Sequence, residues 1–297
     1  MPSANFAERL LHLCEIKQKE PMKNHTTFRI GGEADFLALP QTTEEIKSVF
    51  ALCREEGVPV FVMGNGSNLL ASDEGFRGVV IKIAKKMSAI QVDGDMLTVQ
   101  AGALMSAVGN AAKDAGLSGF EFASGIPGTI GGGVKMNAGA YGGEMADVVV
   151  KTEYITPQGE MLTCENHEFS YRHSFYSDKN YVILRVWLKL SAGDKAAIAE
   201  KMNDLALRRK QKQPLELPSA GSTFRRPEGH FAGTLIEQAG LKGAKIGGAE
   251  VSQKHAGFVV NTGGATAADV LALIGHIQKT VYDKFGVSLS PEVLYLK

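Results

Sequence analysis

An excess of charge of either sign is what this chain most plainly lacks: 32 Lys and Arg balance 32 Asp and Glu over 297 residues. A net charge of zero gives no general field for nucleic acid and no acidic tail, so any anion must be met by local clusters. Cysteine is scarce as well. Cys14, Cys53 and Cys164 are odd in number, far apart and free of any C-x-x-C pair, which supports neither a disulfide framework nor a zinc site and points to a reducing cytoplasm. The seven histidines show no H-x-x-x-H spacing, so no metal is expected. No run approaches the roughly 20 apolar residues of a membrane span. The first twenty residues carry charges throughout and lack the apolar core of a leader. A soluble, unexported protein with no membrane or nucleic-acid partner is expected. The common nucleotide fingerprints are missing too: no glycine run leads into Lys-Ser or Lys-Thr, and no G-x-G-x-x-G opens a βαβ unit.

Glycine, by contrast, is abundant: 34 residues, against a usual level of about 7 per cent. The chain is organised around Glu121 to Glu144, EFASGIPGTIGGGVKMNAGAYGGE, where backbone is the main working surface. Gly125, Gly128 and the run Gly131-Gly132-Gly133 can take positive φ and let N–H groups point together, as around a pyrophosphate. A flexible linker would be polar and serine-rich; here the glycines are interspersed with Phe122, Ile126, Ile130, Val134 and Met136. A second cradle, Gly64-Asn65-Gly66-Ser67-Asn68, follows the apolar run VPVFVM. Two such loops suggest one large phosphorylated ligand gripped from two sides, a dinucleotide better than a mononucleotide.

The length allows two or three compact units. In chain order, Ser3 to Lys19 reads as an amphipathic helix with Ser3 as N-cap. Short strands follow around Gly31-Gly32. Thr42 and Glu45 form a capping-box signature for a helix that Gly57 ends. GVVIKI and MLTVQAG read as β segments joined by an Asp93-Gly94 turn. A helix from Leu104 to Gly116 leads to the glycine stretch, and VVVKTEYIT, MLTC and YVILRVWLKL continue as antiparallel strands. Asp194 to Gln213 is a charged helix, the chain changes character at Pro214, and Thr266 to Phe285 is a further helix.

Three polar places stand out. Tyr171-Arg172-His173-Ser174 lies between two β segments and reads first as an exposed turn. Gly221-Ser222-Thr223-Phe224 offers a serine but lacks the G-x-S-x-G elbow of a hydrolase. Ser290-Pro291-Glu292-Val293 sets an acid beside a proline. The basic run Arg208-Arg209-Lys210-Gln211-Lys212 reads as a solvated helix end, favoured by the helix dipole; a diphosphate clamp is the alternative. It has no interleaved aromatics for nucleic acid.

Taken in order, NHTTFRIGG, VMGNGSNLL, SGIPGTIGGGVKMNAGAYGGE, YRHS, PSAGSTFRRP, GHFAGTLIEQAGLKGAKIGG, KHAGFVVN and SPEVLY closely resemble the UDP-N-acetylenolpyruvoylglucosamine reductase (MurB) family, over nearly the whole chain from Asn24 onward. The short distance from GSTF to SPEV resembles its type II form, which lacks an inserted capping loop. The resemblance implies an α+β fold: an N-terminal helical segment over 1–25, a two-part PCMH-type FAD-binding domain over 26–191 and a smaller α+β substrate-binding domain over 192–297. It implies noncovalent FAD, NADPH as reductant and a UDP-sugar substrate.

By matched motif, Arg172 would stabilise a developing enolate, Ser222 supply a proton and Glu292 assist at the carboxylate. Gly64, Asn65, Gly66, Ser67 and Asn68, with Ser124, Gly125, Ile126, Pro127, Gly128, Thr129, Gly131 and Gly132, would face the pyrophosphate, and Asn137, Ala138 and Gly139 the ring system. Tyr171, Lys212 and Arg226 would meet the substrate, Lys210 being nearly as good a candidate for the diphosphate. Two other readings stand beside this one: a PCMH-type flavin oxidase of an alcohol or hydroxy acid, and a catalytically silent sugar-nucleotide-binding protein.

Overall fold

In Val182–Lys189, Val182, Leu184, Val186 and Leu188 are buried on one face, while the other carries buried Ile183 and exposed Arg185 and Lys189, the alternation of a strand with one partly wet face. In the computed structural model, which describes residues 3 and 5–297, it is the middle strand of a five-stranded antiparallel sheet. The order is Met161–Cys164, Val149–Ile155, Val182–Lys189, Met96–Gln100, Ile90–Asp93. Gly94, at φ 57°, lies in the tight turn between the last two. GVVIKI is therefore not the partner across that turn. It belongs to Phe76–Lys82, which pairs in parallel with Val60–Met63; Val79, Val80 and Ile81 are all fully buried, the signature of a strand covered on both faces.

The protein is α+β and divides into two compact units. The first takes 1–18, 36–65 and 78–209, the second 19–35, 66–77 and 210–297. These units interleave along the sequence, whereas a division at 25 and 191 would be contiguous. The N-terminal helix is shorter than its pattern suggested. It spans Phe6–Leu11 with Asn5 at the N-cap, while Ser3 directs its N–H and its hydroxyl to the Glu56 carboxylate, at 2.8 and 2.7 Å. Beyond Cys14 only Ile16 is apolar before Pro21, so no stripe continues. Glu15–Pro21 is a strand instead, and Glu20, the residue before proline, has the extended preference that suits it. The helix Thr43–Glu55 has the cap foreseen, Thr42 Oγ1 accepting from Glu45 N at 3.2 Å. The Glu45 carboxylate turns back to Gln41 N rather than to Thr42.

In the second unit no strand forms at Phe28 and Ile30, although both are buried. The strand begins at Glu33, after Gly31 and Gly32, where an added Cβ would run into Ala71 Cβ and the Asp73 carbonyl. The short strands Lys245–Ile246, Ala249–Val251 and Val259–Asn261 form an antiparallel sheet, and Leu294–Leu296 pairs in parallel with Leu69–Ala71. The helix Ala267–Phe285 starts at a capping box of Thr266 and Asp269 and stops at Gly286 in the left-handed region. Asp73 accepts from the N–H groups of Ala267 and Ala268 at 2.8 and 2.9 Å, a carboxylate set against the positive end of the helix.

Beneath the large sheet of the first unit, Thr152, His167 and Tyr176 form a buried polar cluster. Thr152 Oγ1 stands 3.0 Å from His167 Nε2 and 2.6 Å from the Tyr176 hydroxyl. Burial depresses the His167 pKa below its ordinary 6.5, so the folded protein holds a neutral ring where the unfolded chain takes up a proton. Stability conferred by this ring is complete above about pH 6.5 and declines as the pH falls from there toward the folded-state value; His255, also depressed by burial, adds with the same sign. Thermal melts between pH 7.5 and 5.5 are expected to show a decline that is smaller in His167→Gln than in the wild type.

Candidate active site

The two glycine loops meet in the first unit. Asn65 Nδ2 donates to the Pro127 carbonyl at 2.7 Å, and a Cβ on Gly64 would overlap Thr129 Oγ1. Ile130–Lys135 is a short helix whose N-cap, Thr129, accepts from Gly132 N at 3.4 Å. Positive φ is not what its glycines supply: Gly125, Gly131, Gly132 and Gly133 all lie outside that region. Gly131 and Gly133 are small because a Cβ would stand 2.9 Å from Ala101 Cβ and 2.9 Å from Met105 Sδ respectively. The neighbouring backbone is stitched down by Met105 N to Gly128 O at 3.0 Å, Ile130 N to Ala103 O at 2.8 Å and Ile126 N to Ala123 O at 2.9 Å. Ser124 Oγ donates to Glu121 O at 2.8 Å.

Asn137 is fully buried, with φ 42°. Its Nδ2 donates to Ser170 O at 3.0 Å and its Oδ1 accepts from Ala146 N at 3.0 Å. The side chain thereby holds the turn that carries Tyr171 and Arg172, closed by reciprocal 3.1 Å bonds between Ser170 and His173. Ala138 N bonds Gly133 O at 2.8 Å, and Gly139 pairs with Glu144 where a Cβ would meet Gly143 O at 2.8 Å. Arg172 itself sits at φ 55°, a conformation that costs a non-glycine residue energy and persists where the surroundings enforce it. Its guanidinium carbon lies 5.2 Å from the Tyr171 ring centroid, within cation–π range.

Ser222 and Glu292 are brought together in the second unit through Thr223. Gly221 turns the chain at φ 79°, and exposed Ser222 is followed by buried Thr223. Thr223 is pinned on three sides: its N–H to Gly257 O at 2.8 Å, its Oγ1 from Val259 N at 2.9 Å, and its carbonyl from Glu292 N at 2.8 Å. Phe224 bridges Pro291, and Arg225 N reaches Ser290 O at 2.9 Å. The part of the second cradle that belongs to this unit is also engaged. Gly66, at φ 64°, accepts from Thr27 N at 3.2 Å, and Asn68 Nδ2 donates to Glu292 O at 3.1 Å.

The basic run divides by helix face. Arg208 is exposed and paired with Asp204 one turn earlier, at 2.8 Å, as a solvated helix face should be. Arg209 is not. In the helix Lys195–Lys212 it falls on the inward stripe of Ile198, Met202 and Leu205, beside Gly125, where an added Cβ would stand 3.4 Å from its Cδ and one terminal nitrogen. Its Nε is buried without a hydrogen-bond partner, and burial lowers its pKa, with Tyr141 the nearby opposing influence. The stripe at i, i+4, i+7 and i+11 was the signal in the sequence that set Arg209 apart from its neighbours. Lys212 is exposed at the helix end. Arg226 lies over the Phe231 ring, 4.0 Å from its centroid.

Residues 213–296 match the family model described as UDP-N-acetylenolpyruvoylglucosamine reductase, C-terminal domain, and residues 34–165 match that of an FAD binding domain. The chain is 53% identical to a UDP-N-acetylenolpyruvoylglucosamine reductase of Caldanaerobacter subterraneus subsp. tengcongensis, over 92% of this chain and 91% of that one. It is 50% identical to the reductase of Clostridioides difficile, over 95% and 93%. The crystal structure of the Thermus caldophilus reductase superposes with a TM-score of 0.81 at 37% identity, covering 95% of this chain and 98% of the other. With two family models matched and relatives 50–53% identical over more than nine tenths of the chain, the chain belongs to the UDP-N-acetylenolpyruvoylglucosamine reductase family of oxidoreductases.

Proposed function

We propose that this chain uses NADPH and noncovalent FAD to reduce the enolpyruvyl group of UDP-N-acetyl-3-O-(1-carboxyvinyl)-glucosamine to UDP-N-acetylmuramate, a cytoplasmic step of peptidoglycan precursor synthesis. The observation that carries the reading is the joining of Ser222 and Glu292, distant in sequence, by the Glu292 N to Thr223 O bond of 2.8 Å. It supplies a hydroxyl and a carboxyl on one locked piece of backbone. The cradle supports the cofactor: a buried guanidinium nitrogen with no partner, beside a residue that leaves space for want of a Cβ, suits a phosphate oxygen. Arg209, Asn65 and the backbone of Ser124 to Gly128 would hold the pyrophosphate.

With FAD bound there, the cofactor would supply hydride chemistry at the outer carbon of the enolpyruvyl double bond. Negative charge then builds on the α-carbon and its carboxylate. Arg172, kept in its strained turn by Asn137, meets that charge without reorganising; preorganised groups of this kind are often worth about 3 to 4 kcal/mol. Ser222 gives its hydroxyl proton to the α-carbon. Serine is a weak acid, but a carbanion is a strong base and needs only a proton within hydrogen-bond reach. Glu292 acts at the carboxylate end. Tyr171, Lys212 and Arg226 are the candidates to hold the sugar nucleotide.

Anaerobic stopped-flow absorbance tests the reading. NADPH should bleach the bound flavin and the enolpyruvyl sugar nucleotide should restore its colour. Ser222→Ala should bleach at the wild-type rate and stall on reoxidation; equal loss in both half-reactions removes Ser222 from its role, and reoxidation by oxygen alone would favour the oxidase. Arg209→Ala should lose about 2 kcal/mol of FAD affinity, roughly thirtyfold in Kd, as expected for one charged hydrogen-bond partner. Fluorescence titration of the apoprotein measures it directly.

A further inference from the structure

Glu292 is held on both sides of its Cα. Its N–H is bonded to Thr223 O at 2.8 Å, and its carbonyl accepts from Asn68 Nδ2 at 3.1 Å. The carbonyl of Asn68 in turn takes the N–H of Leu294 at 3.0 Å. From there the two segments run in parallel register, Leu69 opposite Leu294, Tyr295 opposite Leu70 and Leu296 opposite Ala71, and Ser72 N closes the ladder on Leu296 O at 2.7 Å. Asn68 thus bonds to the Glu292 segment twice, once through its side chain and once through its backbone, at the point where the ladder begins. The backbone at its own Cα sets where the Glu292 side chain starts and limits the rotamers through which its carboxyl can be placed.

We infer that Asn68 is a positioning residue for Glu292: its amide fixes the Glu292 peptide, and so the place of the carboxyl, in addition to any contact the 64–68 loop makes with a phosphate. The inference builds on the proposed role of Glu292 and deepens it. An asparagine serving only a phosphate would have no need of the Glu292 carbonyl. One that positions Glu292 matters to the step that uses Glu292, and the reductive half-reaction does not require it.

Asn68→Ala and Asn68→Asp are the variants to make, the second because it keeps the side-chain size and removes the N–H donor. Both are saturated with FAD and compared with wild type and Glu292→Gln, after melting curves and FAD titrations. Reoxidation of the flavin by the enolpyruvyl sugar nucleotide is expected to slow about tenfold more than its bleaching by NADPH does in both variants, as for the loss of one neutral hydrogen bond. Equal slowing of the two half-reactions, a defect that disappears once FAD is saturating, or normal reoxidation in Asn68→Asp would each overturn the inference. Slow reoxidation in Glu292→Gln alone would overturn it while leaving the role of Glu292 intact. Normal reoxidation in Glu292→Gln beside slow Asn68 variants would remove the Glu292 carboxyl as the target and overturn both.

Discussion

Close approach of bare backbone is the constraint on which the first unit depends. At Gly64, Gly131 and Gly133 another segment occupies the space where a Cβ would stand, and the helix Ile130–Lys135 can lie against Ala101 and Met105 only because these positions carry none. The compaction draws Pro127 within reach of Asn65 and leaves main-chain groups of the two loops side by side. Replacing Gly131 would press against Ala101 and replacing Gly64 would displace the Thr129 cap, since interiors packed at crystal-like density do not absorb an extra carbon without a shift.

Around this frame, buried polar side chains hold the segments that matter. Asn137 and Thr223 each use donor and acceptor groups on different stretches of chain, so neither is left with an uncompensated buried polar end. Through Asn137 the loop at Arg172 keeps a conformation it would otherwise leave. Thr223 does for Ser222 what a strained turn does in other folds: it fixes the neighbour and leaves the hydroxyl exposed. The three carboxylate-bearing anchors, Asp73, Asp269 and Glu121, are similarly paired with N–H groups or with Lys201.

Much of this was legible in the sequence. Alternation announced Val149–Ile155 and Val182–Lys189, the Thr42 cap announced its helix, and the glycine loops and the family motifs marked the candidate site. What was misread was misread for physical reasons. Glycine permits positive φ but is equally required by crowding, and only coordinates separate the two at Gly131. The helix within the Ser3–Lys19 pattern stops at Leu11 because Ile16 is the one apolar residue between Cys14 and Pro21, so no stripe is left to hold further turns against the core. GVVIKI is buried on both faces, so it carries no alternation with which to declare its partner. Arg209 was hidden by the charges around it, although its spacing from Ile198 was visible. The bonds of Asn68 and Asn137 join residues far apart in the chain, which a pattern along one sequence does not record.

The parallel pairing of Leu69–Ala71 with Leu294–Leu296 has a consequence for how the protein is made. An early strand of the second unit must wait for Leu294–Leu296 to leave the ribosome before its edge is covered, and parallel pairing across so long a span is slow for entropic reasons. During synthesis the apolar segment around Leu69 and Leu70 is an unsatisfied β edge, the kind of surface that chaperones shield. Removal of Leu294–Leu296 would leave it uncovered permanently.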